Sequence, residues 1–414
     1  MERPRPLQWL AQFWADLKRS TDAGILGVAR FLGLLYGPID RSLPIDQALR
    51  KALRHRLPSY VGWRHAFGGI TYLLFMALVV TGVLLAFYYR PSPQEAYPSI
   101  QFIVSEVPMG WLVRDLHVWS ANLIVIALLA HMARVFFAAA YKPPRETNWL
   151  IGLLLLFVVL VFGGTGYLLP WDQWSYWTVT EVLDTIDGVP VIGALADLLR
   201  GDVIVSGATL GRFFALHVII LPWIAFALIL FHFNLTRKHG IAPPQGRERG
   251  EGVGVPFFPI HLLRSFTVGT LVLAVTITAA ALFPRPIGDP ADAFQLPDRL
   301  VSSWVVVDVS LALIRYLGTW GFVLFTALGI ALALLPLFDR RPEYRLRRRP
   351  LALILGLLFF GGYLVAWAAG RQLTSAPPNL ETRQETVNPS SEPAPQPQEE
   401  RSEERTSEFQ EGEL

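Results

Sequence analysis

The stretch WLVRDLHVWSANLIVIALLAH, residues 111–131, decides the fold. From Leu116 to Ala130 it carries no Asp, Glu, Lys or Arg, yet it holds His117 and ends at His131. The two histidines are 14 residues apart. In an α-helix that is close to four turns, so both lie on roughly one face, about 21 Å apart at 1.5 Å rise per residue. A hydrocarbon core is about 30 Å thick. A second apolar stretch carries His217 and His232, 15 residues apart. Two such helices, facing each other, offer two imidazole pairs, one toward each membrane surface. Intramembrane histidines are costly without a partner and so mark functional sites. Haem iron takes two axial ligands, which paired neutral imidazoles supply. The plain alternative is that each histidine only hydrogen-bonds a neighbouring helix; four in matched register argue against it.

Composition agrees with a membrane setting. Of 414 residues, 52% are hydrophobic and 17% charged, with a positive mean hydropathy; this is an integral membrane profile. The absence of cysteine rules out disulfides, thiolate metal sites, iron–sulfur clusters and thioether-linked haem within the chain. The net charge of +3 decides little. Met1–Ser20 carries charges throughout and does not read as a cleavable signal. Its Trp9, Leu10, Phe13, Trp14 and Leu17 fit an amphipathic helix on the membrane surface, or equally an ordinary solvated helix.

The expected fold class is an all-α integral membrane protein of about seven transmembrane helices, the first four forming a bundle around two haems. The spans are Phe67–Tyr89, His117–Ala140, Trp149–Leu169, Phe213–Thr236, Phe266–Phe283, Leu317–Phe338 and Leu351–Gly370. Lys and Arg gather in the N-terminal arm, the Lys142–Arg145 turn, the Arg237–Arg249 connection and the Arg340–Arg349 block. With seven spans these all fall on one side, which the positive-inside rule makes cytoplasmic. The N-terminus is then inside and the C-terminus outside. The opposite side holds the long connections Arg90–Leu116, Pro170–Arg212 and Pro284–Tyr316. Within them, Pro190–Leu199 and Val301–Leu313 are too short to span and read as interfacial helices forming a lid.

The expected organisation is an arm over residues 1–60, a haem-binding four-helix bundle over 61–245, a three-helix part with the lid segment over 246–372, and a tail over 373–414. From Ser375 onward the tail is rich in Pro, Glu, Ser and Gln and reads as disordered and acidic.

Glycines repeat the histidine spacing on two other spans. Gly68 and Gly82 are 14 apart on the first, Gly152 and Gly166 on the third. Without a Cβ, each would let a porphyrin edge lie against the backbone; close helix packing is the alternative. Haem propionates need cations near the surfaces. Arg114 and Arg134 flank the first histidine pair and Arg212 and Arg237 the second, each on the surface side of its histidine.

Trp111-Leu-Val-Arg-Asp-Leu-His117, Lys142-Pro-Pro-Arg-Glu146, Gly164-Thr-Gly-Tyr-Leu-Leu-Pro-Trp-Asp-Gln173 and Arg212-Phe-Phe-Ala-Leu-His217 closely resemble cytochrome b of the cytochrome bc/bf complexes. The 15-residue spacing and Arg237-Lys-His-Gly240 look like the photosynthetic bf type. Pro286-Ile-Gly-Asp-Pro-Ala-Asp292 resembles the small separate subunit that follows it in bf complexes, here joined in one chain. The resemblance covers about residues 60–370.

That resemblance implies two non-covalent b-type haems. His117 and His217 would ligate the iron nearer the outer face, His131 and His232 the one nearer the cytoplasm. It implies a membrane subunit of a quinol–cytochrome c reductase type complex, inactive alone. Such a complex oxidises quinol at an outer pocket, sends one electron to a Rieske iron–sulfur protein and on to a c-type cytochrome or plastocyanin-like acceptor, and sends the other inward to reduce quinone. Charge crossing the barrier stores about 2.3 kcal/mol per 100 mV, the basis of proton translocation. It also suggests a homodimer in a bacterial inner membrane. No nucleic-acid partner is implied.

Two departures stand out. Where bf-type proteins carry a cysteine for an extra covalent haem, this chain has Ala66. The family's Pro-Glu-Trp-Tyr motif at the quinol pocket aligns with Ser302-Ser303-Trp304-Val305, which lacks the proton-accepting glutamate. Asp308, one turn beyond Trp304, is the nearest substitute carboxylate, although an aspartate facing the interface reads equally well; Tyr167 and Asp172 help shape the pocket. His65, Lys238, His239 and His261 lie near the cytoplasmic side and can supply protons to an inner quinone site, although each reads more simply as an ordinary surface residue. The altered motif keeps open a dihaem membrane anchor that passes electrons without bifurcation. A third reading is a channel or transporter lined by histidines, without porphyrin.

Overall fold

A computed structural model describes residues 56–373, apart from 191, 243–253, 257–259, 298–299, 301, 303 and 342. The N-terminal amphipathic segment, the acidic tail and Ser303 lie outside the described residues. Among those described, the chain forms α1 (Phe67–Ala86), α2 (Ala96–Ser105), α3 (Gly110–Phe137), α4 (Glu146–Tyr167), α5 (Gln173–Asp187), α6 (Gly193–Arg200), α7 (Gly207–His239), α8 (Leu262–Leu282), α9 (Val305–Leu317), α10 (Thr319–Phe338) and α11 (Pro350–Leu373). Among the described residues, Arg56–Leu57 pairs antiparallel with Val255–Pro256, and an isolated bridge joins Asp172 to Pro290.

Seven of these helices, α1, α3, α4, α7, α8, α10 and α11, are long and apolar enough to cross a membrane. A helix keeps most backbone hydrogen bonds within its own segment, as hydrocarbon requires. Large apolar side chains such as Val80, Phe157, Trp223 and Leu271 point outward. Alternating directions leave one end with the connections 138–145, 240–261 and 339–349, rich in Arg and Lys, called here the basic end. The other, the lid end, carries α2, α5, α6 and α9.

The boundaries refine the sequence reading. α3 begins seven residues before His117, because the charges of Arg114 and Asp115 are neutralised locally: Arg114 donates to Asp115 Oδ1 at 3.1 Å and to the Arg285 carbonyl at 2.6 Å. Its start is crowded; a Cβ on Gly110 would lie 1.9 Å from the Ile103 carbonyl oxygen, so only glycine admits α2 so close. The two expected lid segments are helical but displaced, as α6 and α9, and α2 and α5 join them.

The lid is stitched from distant parts of the chain. Asp172 caps α5 by accepting from Ser175 N at 2.8 Å, and its other oxygen accepts from Gly288 N at 3.0 Å. Gln173 N donates to the Asp289 carbonyl at 2.8 Å and Ala291 N to that of Trp171 at 3.1 Å. At the basic end, buried Lys142 donates to Asp339 Oδ1 at 2.7 Å and Arg349 to Asp339 Oδ2 at 2.9 Å. Tyr141 joins both Asp339 and Arg349. The first four spans and the last three are thus tied at both ends.

Candidate functional site

The four histidines meet as the register requires. His117 faces His217 across the bundle toward the lid end, with ring centroids 6.3 Å apart. That separation lets both rings reach one metal atom through bonds of about 2 Å. Toward the basic end, His131 lies against Gly68 on α1 and His232 against Gly152 on α4.

At each of the four glycines, the side chain nearest the position of a Cβ is an imidazole. A Cβ on Gly82 would lie 3.2 Å from His117 Cε1, on Gly68 3.3 Å from His131 Cε1, on Gly152 3.6 Å from His232 Cε1 and on Gly166 2.5 Å from His217 Cε1. The four glycines and four histidines therefore pair one to one, and the missing side chains let α1 and α4 approach the imidazoles.

The matched depths depend on a local distortion. α7 contains a π-helical turn over Ala215–Ile220, with His217 inside it. A π turn takes up one extra residue relative to an α turn. The 15-residue interval on α7 thus spans the same turns as 14 residues on α3. Pro222 stands two residues beyond the turn; it lacks an N–H for the bond to residue 218, so the regular ladder is already broken there.

Second-sphere bonds set which ring nitrogen is free. The Thr81 hydroxyl spends its hydrogen on the Ala77 carbonyl at 2.7 Å, so at 2.9 Å it accepts from His117 Nδ1. His217 Nδ1 lies 3.0 Å from the Phe162 carbonyl, which can only accept. Thr165 lies 3.3 Å from the same nitrogen. Both rings then present an unprotonated Nε2, the form that binds a metal. These threonines were not anticipated. Their signal is the repeated Thr-Gly dipeptide at Thr81-Gly82 and Thr165-Gly166. The donor set, tautomers and glycine cradles fit an iron porphyrin.

The four arginines are less uniform. Arg114 is buried and spent on Arg285 and Asp115. Arg212 donates to the Leu198 carbonyl at 2.5 Å and lies against Gly201, under the lid. Arg134 stands in the last turn of α3 and Arg237, exposed, in that of α7.

At the lid end, Trp304 is buried, its Nε1 donating to the Ala121 carbonyl at 3.3 Å. Its indole lies on α4 at Gly163, where a Cβ would come within 1.8 Å of the ring. Asn122, five residues after His117, accepts from Val305 N at 2.8 Å and so fastens the start of α9 to α3. Tyr167 packs on the same core as Trp304. Asp172, with both oxygens spent on backbone, is a structural cap at the edge of this region. Asp308 is 1% exposed, and its Oδ2 lies 3.9 Å from Arg371 on α11. Burial holds its carboxyl above the usual range, against the pull of Ser302, Arg371, Trp367 and Arg285.

At the basic end, His65, Lys238, His239 and His261 are spread over three segments. His65 Nδ1 accepts from Gly62 N at 3.2 Å, the His239 carbonyl accepts from Arg145 at 3.5 Å, and Lys238 is exposed. Burial, and then the charge of Arg264, lowers the pKa of His261.

Such a fold and site define a helical membrane protein built to carry electrons. Residues 53–240 match the family described as cytochrome b/b6/petB. Over 211 residues, 51% of this chain and 98% of the relative, the sequence is 43% identical to cytochrome b6 of Auxenochlorella protothecoides. It is 39% identical over 211 residues, 98% of that protein, to cytochrome b6 of Synechococcus elongatus. A solved chain from a hyperthermophilic respiratory Complex III superimposes with TM-score 0.72 and 29% identity, covering 85% of this chain and 94% of that one. The chain belongs to the cytochrome b/b6 family. It is accordingly a multi-pass, haem-binding electron-transport protein of the bc type. The channel reading is set aside.

Proposed function

We propose that this chain is the dihaem subunit of a quinol–cytochrome c, or plastocyanin-like acceptor, oxidoreductase. It oxidises quinol at the lid end and moves electrons across the membrane to a quinone site at the basic end. The observation that carries this is the two facing histidine pairs, brought to common depths by the π turn at His217. His117 and His217 would hold one b-type haem and His131 and His232 the other. Bound there, haem supplies one-electron redox chemistry at two depths of the bilayer.

The chain's own residues do the rest. Thr81 and the Phe162 carbonyl hold the outer imidazoles in the ligating tautomer. The four glycines keep the cradle open. Arg134 and Arg237 supply positive charge near the basic end for carboxylates, whereas Arg114 and Arg212, held by Asp115, Arg285 and Leu198, fasten the lid end. Trp304, Tyr167 and Asp172 shape the quinol pocket, and Asp308 stands as its proton acceptor. The lid end faces outward, with the N-terminus cytoplasmic and the C-terminus outside a bacterial inner membrane. The partners are a Rieske iron–sulfur protein, a c-type cytochrome or other high-potential acceptor, and a second copy of the chain. Residues 61–245 form the haem-binding unit and 246–372 the part that completes the pocket.

The sequence Ser302-Ser303-Trp304-Val305 favours a second reading, a dihaem anchor that relays electrons without bifurcation. Quinol oxidation by the intact complex, with inhibitors of the outer site, separates the two. Inhibitor-sensitive oxidation that reduces both haems supports the first; haem reduction with no such site supports the second.

A further inference from the structure

The two ends of the bundle hold their histidines differently. Toward the lid end each ring is gripped directly, His117 Nδ1 by Thr81 and His217 Nδ1 by the Phe162 carbonyl. Toward the basic end, His232 Nδ1 is buried without a completed hydrogen bond, although the Asn148 carbonyl on α4 faces it. His232 is held through its main chain instead. Thr236, one turn further along α7, donates to the His232 carbonyl at 2.9 Å, and Asn148 Nδ2 donates to Thr236 Oγ1 at 3.0 Å. Gly152, one turn after Asn148, meets the same imidazole at 3.6 Å, the loosest of the four glycine contacts. Asn148 therefore acts on this ligand by two routes, its own carbonyl and the Thr236 hydroxyl. Its Oδ1 is buried and has no partner, a costly choice for a residue that only fills space.

We propose that Asn148 is the positioning residue for His232: its side chain clamps α7 to α4 through Thr236 and so sets how firmly the Asn148 carbonyl takes the Nδ1–H. The proposal rests on the reading of His131 and His232 as ligands of one b-type haem. A firmer Nδ1 bond makes the imidazole a stronger electron donor to the metal, favours the ferric state and lowers the potential at that end. The lid-end pair has its own partners and lies outside the reach of this clamp. Asn148 and Thr236 thus trim the step in potential between the two depths of the bilayer.

The test is an optical redox titration of the intact complex, with the low-spin ferric EPR spectrum as a report on the angle between the two imidazole planes. Asn148→Leu and Thr236→Val should each move the reduction equilibrium of one haem about tenfold toward ferrous, about 59 mV for a one-electron couple, and leave the other unmoved. Combining them should add nothing further, because both break the same link. Thr236→Ser keeps the hydroxyl and should keep the wild-type potential. Asn148→Asp keeps a partner for Thr236 and adds negative charge, so it should move the same haem toward ferric. Wild-type potentials in both Asn148→Leu and Thr236→Val overturn the proposal, as does an equal shift of both haems. If Asn148→Leu loses one haem outright, retention of that haem in both Asn148→Asp and Thr236→Ser supports the clamp, and its loss from both overturns it. A wild type with fewer than two haems sinks the dihaem reading as well; unmoved potentials with two haems present sink this proposal alone.

Discussion

His217 stands 6.3 Å from His117, ring centre to ring centre, because a π turn on α7 absorbs the one residue by which the two histidine intervals differ. The register of the two sites is therefore a property of that turn. Deleting Ile219 should let the turn relax to ordinary α-helix with both pairs still opposed. Inserting an alanine there should rotate His217 by about 100° relative to His232. Optical haem counts on the purified variants check this: two haems for the deletion and one for the insertion.

Glycine at 166 is needed because His217 occupies the space of its missing side chain, at 2.5 Å. Gly166→Val should displace the imidazole and halve the haem absorbance, with the basic-end haem retained. Gly164→Ala is the control, since nothing lies within 4 Å of a Cβ there.

The histidine and glycine registers were legible because membrane helices are long and regular enough for spacing to fix depth and face. The π turn was not, since an interval of 15 residues reads equally well as a slightly rotated α-helix; Pro222 was its one signal. The helix Gln173–Asp187 was missed because it lies in the lid, with Glu181, Asp184 and Asp187 interleaved among its apolar positions. Contacts such as Asn122 with Val305 join residues 183 apart and leave no periodic trace.

Asp339 holds Lys142 and Arg349, whose side chains are 3% and 2% exposed. Burial pushes its carboxyl up, but hydrogen bonds from Lys142, Tyr141 and Arg349 outweigh this and leave its pKa lowered. A lowered carboxylate pKa gives stability that is present above the unfolded value and lost as pH falls through the folded one. Asp339→Asn should cost about 3–5 kcal/mol by leaving two buried cations unpaired. It should also flatten the acid limb of a stability profile measured by unfolding in detergent.

Asp172 serves two masters in the lid, Ser175 on its own helix and Gly288 on the far connection. Asp172→Ala removes the cap and the tie, about 2 kcal/mol together. The expected outcome is a lower unfolding midpoint and faster proteolysis of the 283–304 connection, with the haem spectrum of the folded fraction unchanged.

The most direct measurement is a redox titration of the purified protein followed optically in the α-band, with haem quantified per chain. Two b-type haems, both lost on combined replacement of His117 and His131, are the predicted result. One haem per chain, or none, would contradict it.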